Sequence, residues 1–130
     1  MSSAAEIVVD ASIWVEALAG VRFPALDEAL NRGLAVIAPL VLSELVTGAH
    51  TPSERAAIGE LLQEAPLHPC GLEHWIRVGD LRRVLAYRGV NVTVPDAHVA
   101  QCALDRNAEL LAKDGVFELI ARHTPLRLVR

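Results

Sequence analysis

Four acids fall where an otherwise apolar chain should not carry them: Asp10, Glu44, Asp96 and Asp114. Asp10 ends the run Ile7-Val8-Val9, and Glu44 interrupts Leu40-Val41-Leu42-Ser43-Glu44-Leu45-Val46. Asp96 follows Val94-Pro95, and Asp114 follows Leu110-Leu111-Ala112-Lys113. A carboxylate beside a core is costly unless something pairs with it. Four of them, far apart in sequence, point to one shared cation. Oxygen-only ligation suits Mg²⁺ or Mn²⁺, and such sites serve phosphate chemistry. Each acid also has a plainer reading. Asp10 and Asp96 could cap helices, Asp114-Gly115 could be a turn, and Glu44 could sit on an exposed helix face.

The elements that must position these acids are short and regular. Apolar β-branched stretches predict strands at 6–10, 35–38, 109–112 and 126–129, with a marginal edge strand at 67–69. Helices are predicted at 11–19, 24–31, 39–47, from Thr51 to 64, and at 72–87, 95–106 and 116–121. In the first of these, Ile13, Val15, Leu18 and Ala19 are expected to face inward. Pro39 fits a first helical turn, where its missing N–H does no harm. Short apolar strands alternating with longer helices predict an α/β fold. It would be a three-layer sandwich, with a central parallel sheet of four to five strands and helices on both faces. Such sheets bind ligands at the carboxyl ends of their strands. Asp10 and Asp114 follow strands, while Glu44 and Asp96 lie in helices entered from the same edge.

At 130 residues the chain is expected to form a single domain over 1–130. Its 52% apolar content excludes disorder, and charges or turn residues interrupt every apolar run before a membrane span is reached. No basic stretch precedes Ile7, so no signal peptide and a cytoplasmic location are expected. The net charge of −4 is uneven. Residues 1–65 carry nine acids against three bases, and residues 66–130 seven acids against nine bases. Arg77, Arg82, Arg83 and Arg88 form the densest basic group, read as a solvated helix face rather than a phosphate cradle. Cys70 and Cys102 show no CxxC spacing and no Cys/His cluster in sequence, which argues against zinc and for two inert thiols.

Other candidates are weaker. Of His50, His68, His74, His98 and His123, only His98 is near an acid, two residues past Asp96. On a helix that offset points it about 160° away, so a surface or groove role is expected. Trp14 and Trp75 are expected in the core or an interface, and Lys113 in solvent. No Ser/His/Asp or Cys/His nucleophile set is present, and hydrolysis by activated water needs none.

Val8-Val9-Asp10-Ala11-Ser12, Leu42-Ser43-Glu44-Leu45, Val94-Pro95-Asp96-Ala97 and Leu110-Leu111-Ala112-Lys113-Asp114-Gly115-Val116-Phe117 resemble the four motifs of PIN-domain ribonucleases. Length and motif order look most like the VapC toxins of bacterial toxin–antitoxin pairs. The resemblance implies a PIN-like fold and a metal-dependent endoribonuclease that leaves 5′-phosphate and 3′-hydroxyl ends. Asp10, Glu44 and Asp96 match its principal acids and Asp114 the fourth, around Mg²⁺ or Mn²⁺. Ser12 matches a hydroxyl residue that orients a carboxylate or water. It further implies an RNA substrate, a cognate antitoxin whose tail wraps the protein, and a homodimer. Two positions depart: Ala112 stands where Thr is common, and Val116 where a further Asp is common. They leave room for a non-cleaving PIN-like module that binds RNA or a partner. A phosphotransfer or receiver fold fits poorly, since Asp10-Ala11-Ser12 lacks a second Asp and no Asp closes the second strand.

Overall fold

A computed structural model describes residues 4–130; Met1–Ser3, the start of the stretch read for a signal peptide, lie outside it. The sheet has four parallel strands: β1 (Ile7–Val9), β2 (Ala35–Val36), β3 (Glu109–Leu111) and β4 (Arg127–Leu128), in the order β2-β1-β3-β4. Seven helices connect them: α1 (Ala11–Leu18), α2 (Pro24–Asn31), α3 (Pro39–Gly48), α4 (Pro52–Glu64), α5 (Leu72–Tyr87), α6 (Val94–Arg106) and α7 (Val116–Ala121). The marginal strand at 67–69 is a single parallel bridge between Ile37 and Leu67.

Adjacent strand residues point to opposite faces of a sheet. Val8 and Val9 are both 0% exposed, so both faces are covered, as the expected three layers require. The chain leaves β1 for β2 through α1 and α2. It then returns past β1 to β3 through α3–α6. Right-handed crossovers put connections that run in opposite directions on opposite faces. The outward direction reverses between β1 and β3, which is the switch point where such sheets open a crevice.

Local chemistry explains the element ends. Thr51 caps α4 by accepting from the Glu54 N–H at 3.1 Å, while Glu54 accepts from the His50 N–H, a reciprocal capping box. Asn107 ends α6 in the left-handed conformation at φ 52°, which Asn tolerates better than most residues. Arg106, one residue before, makes a two-point ion pair with Glu6 at 2.7 and 3.0 Å and ties the foot of α6 to the start of β1.

The inward face expected of α1 is corrected by the structure. Ile13 and Trp14 are buried, whereas Val15 and Leu18 are exposed and Ala19 lies just past the helix. The helix is apolar nearly all round, so the largest ring takes the core position and Val15 and Leu18 turn toward α3 and α4. There they border an open apolar groove with Leu45, Ala57 and Ile58, beside Glu44. On α5 the core face is His74, Val78, Leu81 and Leu85, and Trp75 and Ile76 are partly exposed.

Candidate active site

Asp10 sits at the carboxyl end of β1, and its N–H bonds to Leu111 O at the end of β3 at 2.9 Å, which fixes it in the switch-point crevice. It holds the cap position of α1 but makes no side-chain cap hydrogen bond. Its carboxylate therefore does not close the first turn of the helix as a cap, and of the helix N–H groups only that of Ala11 favours its charge. Ser12 Oγ donates to Asp10 Oδ2 at a long 3.4 Å. Asp96 is likewise no cap: Thr93 caps α6 by accepting from the Asp96 N–H at 3.3 Å. Asp114 does serve its own turn, with Oδ1 accepting from the Val116 N–H at 3.0 Å. Glu44 is exposed on α3, and its carboxylate has no hydrogen-bond partner among the described residues.

These acids share one electrostatic field. Burial raises the pKa of Asp10, and the charges of Asp96 and Asp114 add to it; the Ala11 N–H and the Ser12 hydroxyl pull the other way. Glu44 is raised by burial and then by Asp10 and Asp96. Asp96 is raised by burial and by Asp114, against the pull of Thr93. Four carboxyl groups from β1, α3, α6 and the β3–α7 turn thus feel one another across the crevice. Their oxygens do not stand close enough together to form a ready ligand set; among the described residues another group of side chains does. That set is His68, Cys70, His74 and Cys102, whose ligand atoms lie within 4.8 Å of one another. The donors at the crevice are all oxygen, and a divalent cation would relieve the repulsion that adds to burial in raising Asp10, Glu44 and Asp96. An all-oxygen donor set of this kind would suit a hard divalent cation better than a soft one.

What aims α3 and α6 at the crevice is a buried chain of hydrogen bonds that sequence reasoning missed. The Leu40 N–H, in the first turn of α3, donates to His98 Nε2 at 3.3 Å. That nitrogen is therefore unprotonated, and the proton of the neutral ring is on Nδ1. His98 Nδ1 donates to His74 Nε2 at 2.8 Å, and His74 Nδ1 donates to Asp105 Oδ2 at 2.9 Å. Asp105 also accepts from Arg77 at 2.9 and 3.0 Å and from Gln101 at 2.8 Å. Burial alone would raise the Asp105 pKa, but Arg77, His74 and Gln101 together hold it well below the usual carboxylate range.

The surface role expected of His98 is thus overturned: it is 0% exposed, with its ring stacked on Trp75 at 4.9 Å. It does point away from the acids, as the helical offset requires, and that direction leads into the α5–α6 interface. A signal for it was present. His98, Gln101, Cys102 and Asp105 recur at helical spacing as a polar stripe, all on the face of α6 toward α5. The two cysteines do not stand alone either. The fold brings Cys70 and Cys102 together with His68 and His74; His68, Cys70 and His74 lie within seven residues of one another, and only Cys102 comes from a distant helix.

The remaining candidates have structural employment. Arg77 pairs with Asp105, Arg83 with Asp80 at 3.3 Å, and Arg82 Nε donates to Val92 O at 2.8 Å, in keeping with a solvated helix face. Lys113 pairs with Glu16 at 2.6 Å instead of standing free in solvent. Trp14 is core, as expected.

The profile of the PIN domain family matches residues 7–123. Among solved structures, the chain superposes on VapBC2 from Rickettsia felis bound to a DNA fragment from its promoter, with TM-score 0.78 and 18% identity over 95% of this chain and 96% of that one. It is also similar to VapBC-1 from nontypeable Haemophilus influenzae, with TM-score 0.77 and 20% identity over 95% and 96%. A third is VapBC-5 from Mycobacterium tuberculosis, of the VapBC family of toxin–antitoxin systems, with TM-score 0.69 and 24% identity over 97% and 98%. A search of curated protein sequences gives no significant match.

Proposed function

Because the chain belongs to the PIN domain family, we propose that it is a metal-dependent endoribonuclease, acting in the cytoplasm as the toxin of a toxin–antitoxin pair. In this reading residues 1–130 work as one domain. The observation that carries it is the set of mutually repelling acids at the β1–β3 switch point, of which Asp10 and Asp96 sit at helix starts without acting as caps. Asp10, Glu44 and Asp96 hold the cation, Asp114 completes the rim, and Ser12 steadies the Asp10 carboxylate. When bound, Mg²⁺ or Mn²⁺ supplies a more acidic water and offsets charge on the phosphate. The acids themselves exclude other anions until a cation is present, which couples phosphate binding to metal loading. The products carry 5′-phosphate and 3′-hydroxyl ends.

The test is incubation of purified protein with RNA in Mn²⁺, in Mg²⁺ and in EDTA. Cleavage is expected with either metal and none with EDTA; cleavage that persists in EDTA rejects the reading. RNA binding without any metal-dependent cleavage assigns the chain instead to a non-cleaving binding module, which Ala112 and Val116 would help explain.

Ser12→Ala offers a graded check. Loss of an outer hydrogen-bonding partner costs a metal site roughly 10–100-fold in affinity. The 3.4 Å bond is long, so the lower end, about tenfold weaker Mn²⁺ binding by titration, is expected. Unchanged affinity would remove Ser12 from the site.

The partner reading rests on the groove of about 420 Å³ between α1, α3 and α4, where Val15, Leu18, Leu45 and Ile58 meet Glu44. An amphipathic antitoxin segment would bury its apolar side there and set a basic side chain on Glu44. A homodimer is proposed as well, for which Leu72, Ile76 and Tyr87 offer exposed apolar surface along α5.

A further inference from the structure

We infer that His68, Cys70, His74 and Cys102 form a second metal site, distinct from the acidic crevice, that takes one soft tetrahedral ion of the Zn²⁺ class. The four ligand atoms lie within 4.8 Å of one another. Two thiols and two imidazoles are the donor set that selects Zn²⁺ over Mg²⁺ or Mn²⁺. With Zn–S and Zn–N bonds near 2.3 and 2.0 Å, a tetrahedral site has edges of roughly 3.3–3.8 Å. The longest present separation of 4.8 Å must therefore shrink by about 1 Å. His68 and Cys70 belong to the segment between α4 and α5, which is hydrogen-bonded to Ile37 on either side of Leu67. Two of the four ligands, His74 on α5 and Cys102 on α6, are carried by packed helices, and the other two by that segment.

The surroundings suit an ion. Cys102 is 0% exposed, and His68 and His74 are buried. Asp105 Oδ2 lies 2.9 Å from His74 Nδ1 and 3.6 Å from His68 Nε2, so a carboxylate stands behind both imidazoles as it does behind ligating histidines generally. One Zn²⁺ with two thiolates and two neutral imidazoles is a neutral centre, and its formation releases the two thiol protons to solvent. A neutral centre costs little to bury, whereas a lone thiolate there is disfavoured: burial pushes the Cys102 thiol up strongly. His74 must exchange one present hydrogen bond, to His98 or to Asp105, for the ion, and His68, whose Nε2 faces Asp105, must give up the contact of its Nδ1 with Arg106 Nη1 at 3.3 Å. Loading therefore acts on the same chain of bonds that reaches Leu40 and aims α3.

The experiment titrates reduced, chelator-treated protein with Co²⁺ and then Zn²⁺. One equivalent of Co²⁺ is expected to give tetrahedral visible bands and a thiolate charge-transfer band, both displaced by Zn²⁺. Cys70→Ala should lose most of the charge-transfer band and bind more than about 100-fold more weakly, beyond the range of an outer hydrogen-bonding partner. Asp96→Asn should keep both bands, which separates this site from the crevice. In unmutated protein Zn²⁺ should shield Cys70 from iodoacetamide, a measurement that does not rely on a variant folding. Absence of the charge-transfer band, equal bands in Cys70→Ala, or alkylation at the same rate with and without Zn²⁺ would each overturn the assignment. So would recovery of the thiols as a disulfide that takes up no metal.

Discussion

Asp96→Asn is expected to lower RNA cleavage by at least about 10³-fold, or about 4 kcal/mol of transition-state stabilisation at 1.36 kcal/mol per decade. The substitution removes a charge while preserving shape, and Thr93 keeps its bond to the backbone N–H, so the helix start survives. The folded protein should become more stable, not less. Asp96 carries a raised pKa in the folded state, from burial and then the Asp114 charge. A carboxylate with a raised folded pKa opposes folding at neutral pH and stops doing so as pH falls through that pKa. Replacing it with a neutral amide relieves the same opposition at all pH values. A rise in Tm of about 2–4 °C at pH 7 accompanies the loss of activity if the relief is near 1 kcal/mol. Scanning calorimetry and a cleavage assay on one preparation check both halves. Retained turnover would remove Asp96 from the mechanism. A lowered Tm would show that the charge stabilises the fold.

His98→Ala should have the opposite signature, a large stability cost at a residue that never meets RNA. Truncation leaves a cavity between α5 and α6, orphans the Leu40 N–H and takes the proton donor from His74 Nε2. The expected cost is about 3–5 kcal/mol by urea denaturation, or roughly 10–20 °C in Tm. The pH profile carries a second mark of His98. Burial, then the charges of His74 and His68, bring its pKa from 6.5 down to about 4. Below pH 6.5 the unfolded chain takes up a proton that the folded chain refuses, so stability falls toward acid until about pH 4. The drop attributable to His98 is about 3 kcal/mol across that window. Asp105 adds little to it, because its own loss of stability sets in only as the unfolded carboxylate protonates near and below pH 3.8. The raised acids of the crevice act in the other sense as they protonate, so the contrast between the parent and His98→Ala isolates the histidine. Equal slopes between pH 6.5 and 4 in both proteins would refute the neutral buried imidazole.

Periodicity made most of the fold legible. The bounds of α2, α5 and α7 coincide with the expected 24–31, 72–87 and 116–121, and the strands differ from expectation only by fraying at their ends. The acids stood out because a carboxylate after an apolar run is costly wherever it falls. The buried histidines did not, because their meaning depends on which helix lies opposite. His74 reads as a polar residue beside Trp75 until α6 supplies His98 and Asp105. The same reason hid the sulfur ligands, since nothing at position 70 announces position 102. On α1 the error was one of choice among too many apolar residues, where ring size and the neighbouring groove decided which faced inward.

The order of the strands has a consequence for the protein while it is being made. β1 can pair early with β2 along one edge, but Val9 pairs with Leu111, so its other edge waits for a partner about a hundred residues behind it on the ribosome. Asp10 and Asp114 meet only after that pairing closes. A nascent chain therefore holds Asp10 and Asp114 apart until β3 has emerged from the exit tunnel.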